Sequence, residues 1–202
     1  MINNAPIIPN AVMLDEAIGE IQKALAGGLP WLDAAFGRAQ KLVKEIDGRR
    51  YTLPNVYCGG IRGHGNNDYI EVSPDSFKGN FCFFVVDDPQ TIEWEPNAEM
   101  EQRAPFSIIF WFDLRRVFGS SINRNTEYLK AQILDILNGR SGWLMRNGSI
   151  RINKCYEQAA NIYRGFSLDE CDNQFLMHPF SGFRFEGEIK VDTPCVLPDL
   201  NR

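Results

Sequence analysis

Residues 105–114 read Pro-Phe-Ser-Ile-Ile-Phe-Trp-Phe-Asp-Leu, and the reading of this stretch decides the fold. In a strand, alternate side chains point to opposite faces. Phe106, Ile108, Phe110 and Phe112 therefore share one face, with Ser107, Ile109, Trp111 and Asp113 on the other. A strand that is largely apolar on both faces is covered from two sides, by its own chain or by a partner. Residues 126–137 follow as a helix, with Leu129, Ile133, Ile136 and Leu137 on one stripe. Asn125 or Thr126 is placed to cap it and Gly139 to stop it.

Toward the N-terminus, residues 1–10 carry Pro6 and Pro9 and read as an extended arm, with Asn10 as a helix cap. Leu14, Ile18, Ile21 and Leu25 then define an amphipathic helix over 11–26, ended by Gly27 and Gly28. Trp31 to Phe36 suit a short helical turn. Residues 41–53, KLVKEI-DG-RRYTL, suit a hairpin turning on Asp47-Gly48, because a type I′ turn needs positive φ at both central positions. The competing reading is a single helix over 33–46. Pro54 ends the unit, and Cys58 to Asp68 form a glycine-rich loop.

Strands are expected at 68–72 and 80–86. Residues 90–104 are either a solvated acidic loop or the arm of a long hairpin leading into the central strand. Beyond residue 114, Arg115 to Phe118 leave the sheet. Residues 149–156 alternate as a strand, 157–179 are mixed, with a helical turn opening at Leu168 to Glu170, and 182–191 form the last strand with a bulge at Gly187. Regular βα alternation is absent. The expected fold is α+β, a mainly antiparallel sheet with the N-terminal helix and a second helix packed on it, in one domain over 1–202. A short tail covers 194–202.

The bulk numbers narrow the function. A formal charge of −5 disfavours an overall basic nucleic-acid binder, though a local patch remains open. The opening MINNAPIIPN lacks the pattern of a secretory signal, and the chain has no run of about 18 apolar residues for a membrane span. Cys58, Cys82, Cys155, Cys171 and Cys195 are odd in number and widely spaced, so free thiols in a reducing cytoplasm are expected.

Catalytic patterns are weak. The loop Gly59-Gly60-Ile61-Arg62-Gly63-His64-Gly65 lacks the Lys-Ser/Thr and the helix of a phosphate-binding loop. His64 and His178 lack metal-ligand spacing, so neither a metal nor a cofactor is expected. An enzyme would need a site assembled from dispersed residues, Cys58, His64, Asp68 and His178. Glu93 and Glu95 could pair as in a glycosidase but suit a solvated loop better. Arg115 and Arg116, with Arg124 and Lys130, are the one local basic cluster. They read as a solvated loop with ion pairs, or as a contact to another subunit or to DNA backbone. Fourteen Phe, six Tyr and four Trp exceed the needs of one small core, so some, Trp111 and Trp143 among them, are expected at interfaces.

This layout resembles the tail-terminator and neck (head–tail joining) proteins of tailed phages and prophages. The stretches that carry the resemblance are 14–25, 106–114, 126–137 (ending Ile-Leu-x-Ile-Leu) and 179–191 (Pro-Phe-Ser-Gly-Phe-Arg-Phe-Glu-Gly at its start). Against the compact members of that group, 55–79 and 140–179 are long insertions. The resemblance implies a non-enzymatic subunit that assembles as a ring, commonly six-fold, whose channel passes DNA as cargo. Its neighbours would be the tail tube and head–tail connector proteins, in the host cytoplasm during assembly and then in the virion. It also points to interface residues: Arg115, Arg116 and Arg124 toward a neighbour or the channel, and the loop bearing Gly59, Arg62 and His64 toward an adjacent ring. The alternatives are another oligomeric binding module and the dispersed-residue enzyme.

Overall fold

A computed structural model describes residues 6–59, 68–75, 79–94, 99–120, 122–139, 145–167, 171 and 173–194. Helix α1 (Met13–Gly28) buries Leu14, Ile18, Ile21 and Leu25, the expected stripe. Its cap differs from expectation. Val12 occupies the N-cap without a side-chain bond, Asn10 has φ 53, and Gly27 and Gly28 belong to the last turn. Strand β1 (Ala34–Ile46) begins where a helical turn was an option, because Ala34 and Ala35 pair with Phe81 and Cys82. Asp47 (φ 51) and Gly48 (φ 74) turn the chain into β2 (Arg49–Tyr57), as the hairpin reading requires. Pro54 lies inside β2 and does not end it. Its carbonyl accepts from the Val72 amide, a bond that needs no proline N–H.

Strands β3 (Tyr69–Glu71) and β4 (Phe81–Val86) follow. Of the two readings of 90–104, the described residues fit the hairpin arm: β5 (Thr91–Trp94) pairs with the start of β6 (Glu99–Asp113). Helix α2 (Leu114–Phe118) leaves the sheet, capped by the Asp113 side chain, which accepts from the Arg115 amide. Helix α3 (Thr126–Leu137) is capped by Asn125, whose side chain accepts from the Tyr128 amide. Strand β7 (Gly148–Tyr156), helix α4 (Ala159–Ile162), a 3-10 turn (Asn173–Leu176) and β8 (Phe180–Pro194) complete the chain.

The sheet order is β3-β2-β1-β4-β6-β8-β7, with β5 also paired to β6. All pairings are antiparallel except β1 with β4. That parallel contact is short, covering Ala34↔Phe81, Ala35↔Cys82 and, past a bulge, Arg38↔Phe84. The bulge expected at Gly187 lies instead in β7 opposite it, at the register shift between Ile152 and Lys154. Gly187 is needed for close approach: a Cβ there would sit 1.9 Å from the Arg151 carbonyl oxygen.

Both faces of the sheet's central strands, β4, β6 and β8, are covered by the chain itself. On the first face, Phe84, Phe106, Ile108, Phe110, Phe112, Phe183 and Phe185 pack with α1 and with Leu129, Ile133 and Leu137 of α3. Trp31 ties these layers together. Its ring meets Phe112 edge-on at 5.4 Å and its Nε1 donates to Gln132 Oε1 at 3.1 Å. On the second face, Phe81, Phe83, Ile109 and Trp111 lie under a strap formed between β7 and β8, through Ile162, Tyr163, Phe166 and Phe175. The strap reaches across to β2, where the Ser167 amide donates to the Thr52 carbonyl at 2.8 Å and Ser167 Oγ accepts from the Thr52 amide at 3.0 Å. The outcome is a mixed α/β chain built on a large, mostly antiparallel sheet, with four α-helices among the described residues and the N-terminal helix packed on the sheet. The turn expected at 168–170 lies outside the described residues.

Candidate functional site

The two ends of the sheet present different chemistry. At one end β6 finishes in Asp113, and β4 and β1 begin beside it. Buried Asn80 organises this end. Its Nδ2 donates to the Trp31 carbonyl (2.7 Å), its amide donates to Asp33 Oδ2 (2.8 Å), and its Oδ1 accepts from the Asp113 amide (2.9 Å). The two aspartates so placed each hold an arginine. Arg115 Nη2 lies 2.7 Å from Asp113 Oδ2, with its guanidinium 5.2 Å above the Phe180 ring. Arg116 Nη2 lies 3.2 Å from Asp33 Oδ2.

Burial opposes the charge on Asp113, but the side-chain and backbone hydrogen bonds from Arg115 outweigh it and hold the carboxyl below its ordinary range. Both arginines are thus anchored by ion pairs while about half of each side chain stays accessible. Arg124 differs: it is exposed, on the segment that also carries Ile122, itself 87% exposed. Lys130 lies away from that group, paired with Glu127 and Glu157 and 5.6 Å above the Phe183 ring.

At the opposite end lie two exposed arms of the sheet, the β1–β2 hairpin and β5. The β1–β2 hairpin is exposed at every residue from Val43 to Arg50. Strand β5 is exposed at all four positions, with Ile92 at 54% and Trp94 at 69%. Between the bases of these arms, where β1 parts from β4 after Arg38, lies a cleft of about 490 Å³ lined in part by Asp15, Arg38, Lys41, Asp87 and Asp88. Lys41 bridges it to Asp87 at 3.6 Å.

The sequence-derived candidates fall unequally on this frame. Arg115 and Arg116 share the first end, and Arg124 is on the surface. Trp111 is corrected from an interface residue to a core residue: it is 3% exposed, stacked on Phe81 and Phe180, and its Nε1 donates to the Phe175 carbonyl at 2.9 Å. Gly59, at φ 60, follows the end of β2, where a Cβ would meet Pro6 at 2.9 Å. Arg62, His64 and Trp143 lie outside the described residues.

Of the dispersed enzyme set, Cys58 is buried, and its amide donates to the carbonyl of exposed Asp68. His178 is exposed and precedes β8, which is four places from β2 in the sheet order. At about 4.8 Å per strand, roughly 19 Å separates those two strands. Cys82 and Cys171 are buried, whereas Cys155 is exposed. Among the described residues no cluster of three or more His, Cys, Asp or Glu is arranged to hold a metal ion, and no helix is long and apolar enough to cross a membrane.

Sequence reasoning missed Val43, Ile46, Ile92, Trp94, Ile122 and Met177, the exposed apolar residues. The alternation Ile92-Glu93-Trp94 was the available signal, but the surrounding acids made the segment read equally well as a solvated loop. No protein-family model matches the chain, and no curated protein matches it in sequence.

Proposed function

We propose that this chain is a non-enzymatic structural subunit of a tailed-phage or prophage virion, an α+β protein of the tail-terminator or neck type. It forms a ring, six-fold by the resemblance, at the head–tail junction or tail end. Tail tube and connector proteins adjoin it, and DNA passes through as cargo. Assembly takes place in the host cytoplasm, before incorporation into the virion. The observation that supports this reading most is the distribution of apolar surface. Both faces of the central strands are covered within the chain, yet Val43, Ile46, Ile92 and Trp94 stand exposed on two arms of the sheet. Large apolar side chains held out on regular strands suit contacts with other subunits. The same surface would serve another oligomeric module without catalysis, and the resemblance in layout favours the virion.

Negative-stain imaging and light scattering over a concentration series test the proposal. The expected result is closed rings with a channel wide enough for duplex DNA. A monodisperse monomer at every concentration that also fails to bind purified tails would overturn it.

A further inference from the structure

We infer that neighbouring copies join strand edge to strand edge, the free edge of β1 in the hairpin of one copy (residues 40–46) pairing with the free edge of β5 (Thr91–Trp94) in the next; this rests on the ring reading above. Each edge is open. Among the described residues, β1 from Ala39 onward pairs only with β2 and β5 only with β6, and the two free edges lie on either side of the cleft that Lys41 and Asp87 bridge at its base. An unpaired strand edge presents backbone donors and acceptors ready to extend a sheet. Within one chain the two edges do not meet. No β1–β5 pairing exists among the described residues, and Val43, Ile46, Ile92 and Trp94 all remain exposed.

The side chains of the two edges match. Ala39 opposes Val56, and both belong to the second face, so alternation places Leu42, Lys44 and Ile46 on the first. Ile92 and Trp94 oppose Gln102 and Met100, which share the face of buried Ala104, again the first. Joining the edges in one continuous sheet therefore sets Leu42 and Ile46 beside Ile92 and Trp94 as cross-strand apolar pairs, with a tryptophan as anchor.

Charge selects the pairing. The hairpin from 40 to 52 carries Lys41, Lys44, Arg49 and Arg50 against Glu45 and Asp47. The segment 87–94 carries Asp87, Asp88 and Glu93 with no cation. Arg49 and Arg50 enter no ion pair among the described residues, whereas Lys44 is held by Glu71 of β3 at 2.7 Å and Lys41 bridges to Asp87 at the base of the arms, so Arg49 and Arg50 are the cations left to meet a partner. Two β5 edges together would oppose their acids, and two hairpins their cations. A β1-to-β5 contact avoids both. Because it joins unlike patches, it is head-to-tail, the kind of contact that closes a ring.

The test uses the full chain with Cys155→Ser and Cys195→Ser. One population carries Ile46→Cys; a second carries Ile92→Cys or Trp94→Cys, which brackets the register. All three positions are exposed, and far-UV circular dichroism checks that each variant folds. Mixed under mild oxidation at ring-forming concentration, the two populations are expected to give a disulfide-linked pair containing one of each. Ile122→Cys, at the other end of the sheet, is expected to stay unlinked to either. In the unmodified chain, Trp94→Ala is expected to raise the concentration for half-assembly by about tenfold or more. Arg49→Glu with Arg50→Glu should abolish assembly, and adding Glu93→Lys should restore part of it. Rings that form without the β1–β5 cross-link would overturn this inference and leave the ring reading intact. Failure of both rings and cross-link would overturn the two together.

Discussion

Asp113 is 7% exposed and meets two opposing influences, burial and the Arg115 hydrogen bonds. The bonds win, so its folded pKa lies below the ordinary carboxylate value of about 3.9. A depressed carboxylate stabilises the fold at pH values above its unfolded pKa. That stability disappears as pH falls through the folded value. Glu101 has the same sign, held down by Lys190 and then Arg103. Asp113→Asn is therefore expected to cost about 1 kcal/mol at pH 7, a modest figure because Arg115 is half exposed. Urea midpoints at pH 7 and pH 2.5 check this: the gap from wild type should narrow at the lower pH. Gly187 constrains the chain by space alone. Gly187→Ala drives a methyl into the Arg151 carbonyl and should lower stability by about 1–3 kcal/mol, read from the same denaturation curves.

Helix α3 is held by one buried stripe and one cap, and these separate experimentally. Ile133→Ala, at 0% exposure against α1 and the sheet, should cost about 2–5 kcal/mol in urea denaturation. Asn125→Ala should cost about 1 kcal/mol through the lost bond to the Tyr128 amide. This helix was fully legible in the sequence, because its period, cap and stop are all local. The Asp47-Gly48 hairpin was legible for the same reason, and so was the double-faced burial of β6, which alternation alone reveals. The first half of β1 was not. Ala34 and Ala35 have weak strand preference and are extended because β4 pairs with them. The strap was equally opaque. Its course follows from Ser167 reaching Thr52 and from the Cys171 thiol reaching the Pro74 carbonyl at 3.4 Å, partners far away along the chain. Trp111 shows the limit for site residues. Aromatic abundance suggested an interface, and the strap, invisible to periodicity, supplied a cover from within the chain.

At the scale of the molecule, the β6–β8 pairing runs unbroken from Glu99↔Pro194 to Asp113↔Phe180. The β1–β2–β3 part joins that body through far less backbone, the three registers between Ala34 and Arg38 on β1. The Ser167–Thr52 bonds and the Cys171–Pro74 contact reinforce the junction from the second face. Such a distribution divides the chain into cooperative units of unequal strength. Native-state hydrogen exchange should find the β1–β2 amides opening together at a lower free energy than those of β6 and β8. Ser167→Ala should widen the difference. Uniform exchange across the sheet would contradict this division. The short parallel pairing would then work as a mechanical fuse. Under load, the hairpin unit would peel away along one line while the β6–β8 body stayed folded, and it would close again once the load was released.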